Sequence, residues 1–136
     1  MKPSLKKGFS MIELIFVIAV LGIIAAVAVP KLLDSRSSAL STTIKQDIST
    51  ITNSIQSYYM LNGELDDIKK SVNINSKTWE VTTQKAIFPR TETGTECVTI
   101  EITGNELIVN IDENNDTEVC KKLVSSGIED TTYKLY

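Results

Sequence analysis

The run from Phe9 to Val29 limits this chain more than any other feature. Only Ser10 and Glu13 carry polar side chains within it. At about 1.5 Å of rise per residue it makes a helix of roughly 30 Å, the thickness of a bilayer core. Lys2, Lys6 and Lys7 lie ahead of it. A carboxylate near one end of such a segment costs on the order of 3 kcal/mol, so Glu13 marks a functional site by default. A secretory signal peptide has the same basic start, and the small residues near Ala25 and Ala28 offer a cleavage site. That reading fits poorly, because the run is long and Glu13 interrupts its beginning. A plain single-span anchor explains the length and leaves Glu13 unexplained.

Lys6-Lys7-Gly8-Phe9-Ser10-Met11-Ile12-Glu13-Leu14 resembles the class III signal of type IV pilins and type II secretion pseudopilins. The resemblance implies a short basic leader that a membrane aspartic peptidase, also a methyltransferase, cuts between Gly8 and Phe9. Phe9 then becomes an N-methylated terminus. It also implies an assembly role for Glu13, four residues beyond the cut. Gly22 and Pro30 fall where family members carry residues that loosen the helix when subunits pack into a filament. The implied partners are the prepilin peptidase, other pilin or pseudopilin subunits and the inner membrane.

Charge and composition narrow the chemistry. The chain has 136 residues and a formal net charge of −3. Loss of the three leader lysines from 14 basic residues leaves 11 against 17 acidic, a net of −6. So acidic a protein has no generic attraction to phosphate backbones, and no direct nucleic-acid binding is expected. Histidine is absent, which removes Ser-His and Cys-His nucleophiles and His-based metal sites. No enzymatic activity and no cofactor is expected.

In chain order, residues 1–8 read as a cytoplasmic leader held inside by its lysines, although Lys31 and Arg36 weaken that asymmetry. Residues 9–30 read as the transmembrane, filament-core helix. Residues 31–136 read as a periplasmic domain that includes an amphipathic helix over 31–61. Pro30 removes a hydrogen bond to Ala26, but helical patterning resumes at once, so a kinked, continuing helix is expected. Leu33, Leu40, Ile44, Ile48, Ile51, Ile55 and Tyr58 or Tyr59 recur at helical spacing, with serines, threonines, Lys45, Gln46, Asp47 and Asn53 on the other face. The stripe is the seat of a small sheet or a partner-binding face; the later strands need a surface to cover, which favours the sheet. Asn62-Gly63 stops the helix. Pseudopilins often carry Pro shortly after this Gly, where this chain has Glu64-Leu65-Asp66.

The remainder predicts a short helix near Leu65–Lys70 and a strand over Thr78–Thr82, with a loop from Phe88 to Glu96. A hairpin follows, with strands Cys97–Ile102 and Leu107–Ile111. An acidic loop over Asp112–Thr117 leads to a helix over Glu118–Val124 and a last strand over Tyr133–Tyr136. The fold class is therefore α+β: a long N-terminal helix on a small antiparallel sheet. Cys97 and Cys120 lie too far apart for a CxxC motif. In an exported domain they form a disulfide worth roughly 3 kcal/mol; otherwise they are two buried thiols. Many pilins carry a similar bridge. Asp112, Asn114 and Asp116 place oxygens as a calcium loop begins, and some secretion pseudopilins bind calcium in such a loop. Thr117 and Leu123 then break the pattern, and a solvated acidic turn is preferred. The leading function is a membrane-anchored pseudopilin or minor pilin. The reading from another class is a single-span sensor or binding module.

Overall fold

The computed structural model describes residues 8–89 and 95–136. The chain divides into two units, Met1–Arg36 and Ser37–Tyr136. One helix, α1 (Met11–Asn62), contributes to both. Of the leader expected at residues 1–8, all but Gly8 lies outside the described residues, as do the loop residues 90–94.

In the first unit, α1 begins at Met11, two residues after Phe9, and its first backbone bond runs from Leu14 N–H to Ser10 O at 3.2 Å. Pro30 lies inside the helix, which continues past it. In the second unit, Ile44, Ile48, Ile51 and Ile55 of α1 are buried. The helix ends where the sequence places a stop. Gly63 takes a left-handed φ of 75° and donates its N–H to Tyr59 O at 2.7 Å. A side chain at that φ would be strained, so Gly suits the position.

The buried stripe is shorter and less purely apolar than the sequence implies. Leu33 and Leu40 remain 61 % and 37 % exposed, so burial begins only at Ser41. Ser41 and Thr52, expected on the solvated face, are buried among the isoleucines. Their hydroxyls donate to Ser38 O at 2.9 Å and Ile48 O at 2.8 Å. Back-bonding to the helix satisfies them without a partner on the sheet.

Five antiparallel strands form a meander in the order β1-β2-β3-β4-β5. They are β1 (Glu80–Val81), β2 (Lys85–Phe88), β3 (Val98–Thr103), β4 (Glu106–Ile111) and β5 (Thr131–Lys134). Alternation sends Ala86, Phe88, Val98, Ile100, Leu107, Val109 and Ile111 into the core. Ile102 is half-buried. The β3–β4 hairpin is the expected one, turning at Gly104 with φ 61°. The Thr78–Thr82 strand shrinks to two residues, Glu80 and Val81, which pair with Ile87 and Ala86 of β2. Phe88, expected in a loop, ends that partner strand. β5 begins at Thr131, two residues before its expected start, and Leu135 folds under it into the core. The expected helix near Leu65 is a single 3-10 turn, Ile68–Lys70, capped by Asp67.

Trp79, the only tryptophan, is buried against Phe88 with ring centroids 5.5 Å apart. Its indole Nε1–H donates to Asp47 Oδ2 of α1 at 2.9 Å. On the outer face of the sheet Lys85 and Glu101 form an ion pair at 2.8 Å. The hydrogen bond that Lys85 donates to Glu101, reinforced by the carboxylate's charge, holds the Lys85 ammonium above the ordinary lysine pKa. A raised value gives stability that is complete below about pH 10 and lost only above it, so the pair does not respond near neutrality. Its exposure makes it a small contributor.

Helix α2 (Glu118–Ser125) starts at the N-cap Thr117, whose hydroxyl accepts from Cys120 N–H. It is tied to α1 by Lys45 Nζ to Ser126 O at 2.9 Å and Lys122 Nζ to Ser38 Oγ at 2.7 Å. Cys97 and Cys120 are joined in a disulfide and both are buried. The bridge fixes α2 to the start of β3 and closes a loop of 23 residues' separation. Replacing both cysteines by alanine is expected to lower stability by about 2–4 kcal/mol. The check is a denaturant titration of the full chain in micelles, followed by Trp79 fluorescence. An unchanged midpoint would show that the bridge contributes nothing.

Candidate functional site

The segment that the sequence marks for processing and assembly runs from Gly8 to Pro30. Gly8, Phe9 and Ser10 are exposed and non-helical. A peptide bond in extended chain is open to a peptidase, whereas one inside a helix is tied up by backbone bonding. A Cβ built on Gly8 meets nothing within 4 Å, so this fold does not itself require glycine there.

Ser10 occupies the N-cap position of α1 and Glu13 stands three residues on. Ser-x-x-Glu is the residue order of a capping box, a signal for the helix start that reading Glu13 only as a membrane anomaly passes over. Glu13 is also the acidic residue of the first turn, where the helix dipole favours negative charge. Its side chain is nevertheless exposed, and it has no ion pair or hydrogen bond among the described residues. The residues around it are apolar. Phe9 and Met11 are 79 % and 83 % exposed, and large apolar side chains stay uncovered through Val29. They occupy every face of the helix, the pattern of a helix surrounded by lipid or by other helices. The segment is long and apolar enough to cross a membrane.

Gly22 and Pro30 weaken this helix in different ways. A Cβ on Gly22 also meets nothing within 4 Å. Gly22→Ala is therefore expected to strengthen the helix by roughly 0.5–1 kcal/mol. Should Gly22 serve to loosen the helix during assembly, the same variant will mature normally and enter filaments less readily than the parent. Helicity by circular dichroism, read beside filament incorporation, checks both halves. Pro30 lacks the N–H that Ala26 O would accept, so the helix has one backbone bond fewer at that point.

The residues of the acidic loop bond chiefly to one another and to the neighbouring chain. Asp112 Oδ1 accepts from Asn114 N–H at 3.0 Å. Asn115 Oδ1 accepts from Thr117 N–H at 3.0 Å and from its hydroxyl at 2.7 Å. Asn115 Nδ2 donates to Thr95 O and Glu96 O at 3.3 and 3.2 Å. Asp116 pairs with Lys121 at 3.4 Å. No cluster of three or more His, Cys, Asp or Glu suited to a metal occurs among the described residues. Asp112, Asn114 and Asp116 thus share one loop, held by bonds of Asp112, Asn115 and Asp116.

No curated protein and no solved structure matches the chain. The amino-terminal segment does have a match, and it coincides with the uncovered apolar helix and with Glu13, which has no partner among the described residues. The family's signal points to a structural subunit rather than an enzyme, with maturation by prepilin peptidase and assembly with other pilins. Residues 3–29 match the family described as the prokaryotic N-terminal methylation motif, and the chain therefore carries the prepilin-type signal of type IV pilins and pseudopilins.

Proposed function

We propose that the chain is a membrane-anchored pseudopilin or minor pilin, a structural subunit of a type II secretion or type IV pilus-like filament. The observation that carries this reading is the prepilin-type signal over residues 3–29. The uncovered helix and Glu13, without a partner among the described residues, support it. In this reading the peptidase cuts after Gly8 and methylates Phe9. The helix from Met11 to Pro30 holds the subunit in the inner membrane until it packs among other such helices. The Ser37–Tyr136 unit stands on the periplasmic side, where a disulfide persists.

The test is mass spectrometry of the amino terminus together with shear fractionation of the cells. A chain that begins at methylated Phe9 and sediments with sheared filaments is the expected result. An intact Met1, with all protein in the membrane, would instead favour a single-span sensor or binding module.

A further inference from the structure

We propose that Asn115 is the acceptor of an N-linked glycan. Asn115-Asp116-Thr117 is the one Asn-x-Ser/Thr sequence in the chain with a non-proline middle residue. Such a tripeptide on the surface of an exported domain is the acceptor of oligosaccharyl transfer. The site lies in the loop between β4 and α2, with Glu113, Asn114, Asp116 and Thr117 all exposed. The inference rests on the export implied by the filament reading.

The geometry suits the chemistry. The Asn115 side-chain oxygen accepts two donors from Thr117, its N–H at 3.0 Å and its hydroxyl at 2.7 Å. Donation to an amide oxygen draws density from nitrogen and makes an amide proton easier to remove. The nitrogen left by deprotonation is the better nucleophile. Two bonds hold that nitrogen, to Thr95 O at 3.3 Å and Glu96 O at 3.2 Å. Both are long and solvent-exposed, and water can replace them when the side chain turns outward. A glycosylated Asn115 keeps one N–H, enough for one of the two carbonyls. The Thr117 hydroxyl also caps α2 by accepting from Cys120 N–H, a role that leaves it free to donate to Asn115 Oδ1.

The reaction balances without redox change. The glycosyl donor is an oligosaccharide linked to a polyprenyl diphosphate. Nδ2 attacks its anomeric carbon and forms the C–N bond. The bond from that carbon to the diphosphate oxygen breaks, and polyprenyl diphosphate leaves with the electron pair. One amide proton passes to a base of the transferase.

The experiment is peptide mass spectrometry of the full chain purified from the cells that make it, reading residues 91–121 and the amino terminus together. An oligosaccharide increment on Asn115 is expected. It should vanish in Asn115→Gln and Thr117→Val and persist in Thr117→Ser, which keeps the hydroxyl. A purely structural role for Thr117 would not move this mass. Bare Asn115 throughout, or an increment that survives Asn115→Gln, overturns the proposal. Bare Asn115 on a chain that begins at methylated Phe9 overturns the glycan alone. A glycan on a chain with intact Met1 overturns the processing reading alone.

Discussion

Gly8→Val is expected to accumulate as uncleaved precursor in the membrane, with maturation slowed roughly tenfold or more, the consequence of about 1.4 kcal/mol at the transition state of cleavage. The fold gives no reason for this loss. Gly8 is exposed, it precedes the helix, and a Cβ there meets nothing within 4 Å. No left-handed φ is recorded for it either: among the described residues the positive-φ glycines are Gly63, Gly104 and Gly127. Any requirement for glycine must therefore come from the peptidase, whose cleft has to close on the backbone beside the bond it cuts. A branched side chain blocks that approach, and Gly8→Ala should give an intermediate rate. The readout is the ratio of full-length to shortened chain on a gel, confirmed by the mass of the amino-terminal peptide. Because the Ser37–Tyr136 unit is unaffected, its disulfide and Trp79 fluorescence should be those of the parent. Normal maturation of Gly8→Val would remove the processing role assigned to Gly8.

Much of this architecture is legible from periodicity alone. The isoleucines at 44, 48, 51 and 55 repeat at helical spacing, and each is buried. The hairpin of Val98–Thr103 and Glu106–Ile111 shows alternation on both sides of a Gly-Asn turn. Asn62-Gly63 stops the helix because only a residue tolerant of positive φ closes it that way. The misses have a common physical origin: local pattern does not record what a neighbouring strand supplies. Lys85–Phe88 is too short to signal a strand by itself, and it becomes one by pairing with β3. Ser41 and Thr52 look like solvent-facing residues until their bonds to helix carbonyls are known. Leu33 and Leu40 fit the apolar stripe by spacing, yet both stay exposed. At the candidate site, sequence places Gly8, Phe9 and Glu13 by their register. The start of the helix at Met11 is marked by the Ser10-x-x-Glu13 order and escapes a reading of the apolar run alone, and the sequence does not reveal that Glu13 lacks a partner within the described chain.

Glu13→Leu and Glu13→Ala are expected to mature and insert like the parent and yet to fall out of filaments, by on the order of a hundredfold. After the proposed cleavage Phe9 would carry a free, methylated α-amine, cationic at neutral pH. In the proposed setting this amine and Glu13 both sit at the membrane edge, where an unpaired charge is unfavourable. If α1 kept Phe9 within it, the amine and carboxylate would lie four residues apart on one face and could pair locally. The helix instead begins at Met11 and Phe9 lies outside its first turn, which leaves the amine untied to that face. In the proposed filament a second subunit would offer the other solution: Glu13 of an incoming chain would meet the amino terminus of the chain ahead, and the contact would set the axial register of the bundle. Removing one member of a poorly solvated pair costs about 3 kcal/mol, because the surviving charge stays without a counter-ion. That loss corresponds to the stated factor. The substitutions at the same time make the segment more apolar, so membrane insertion should improve as assembly fails, a combination a simple anchor cannot produce. Glu13→Gln separates charge from shape: it keeps the length and the hydrogen-bonding oxygen of glutamate, and should assemble poorly if the ion pair matters. The measurement is co-sedimentation of tagged variants with sheared filaments, alongside the cleavage assay. Parent-level incorporation of the Leu and Ala variants would make Glu13 incidental and leave the apolar helix as an anchor only.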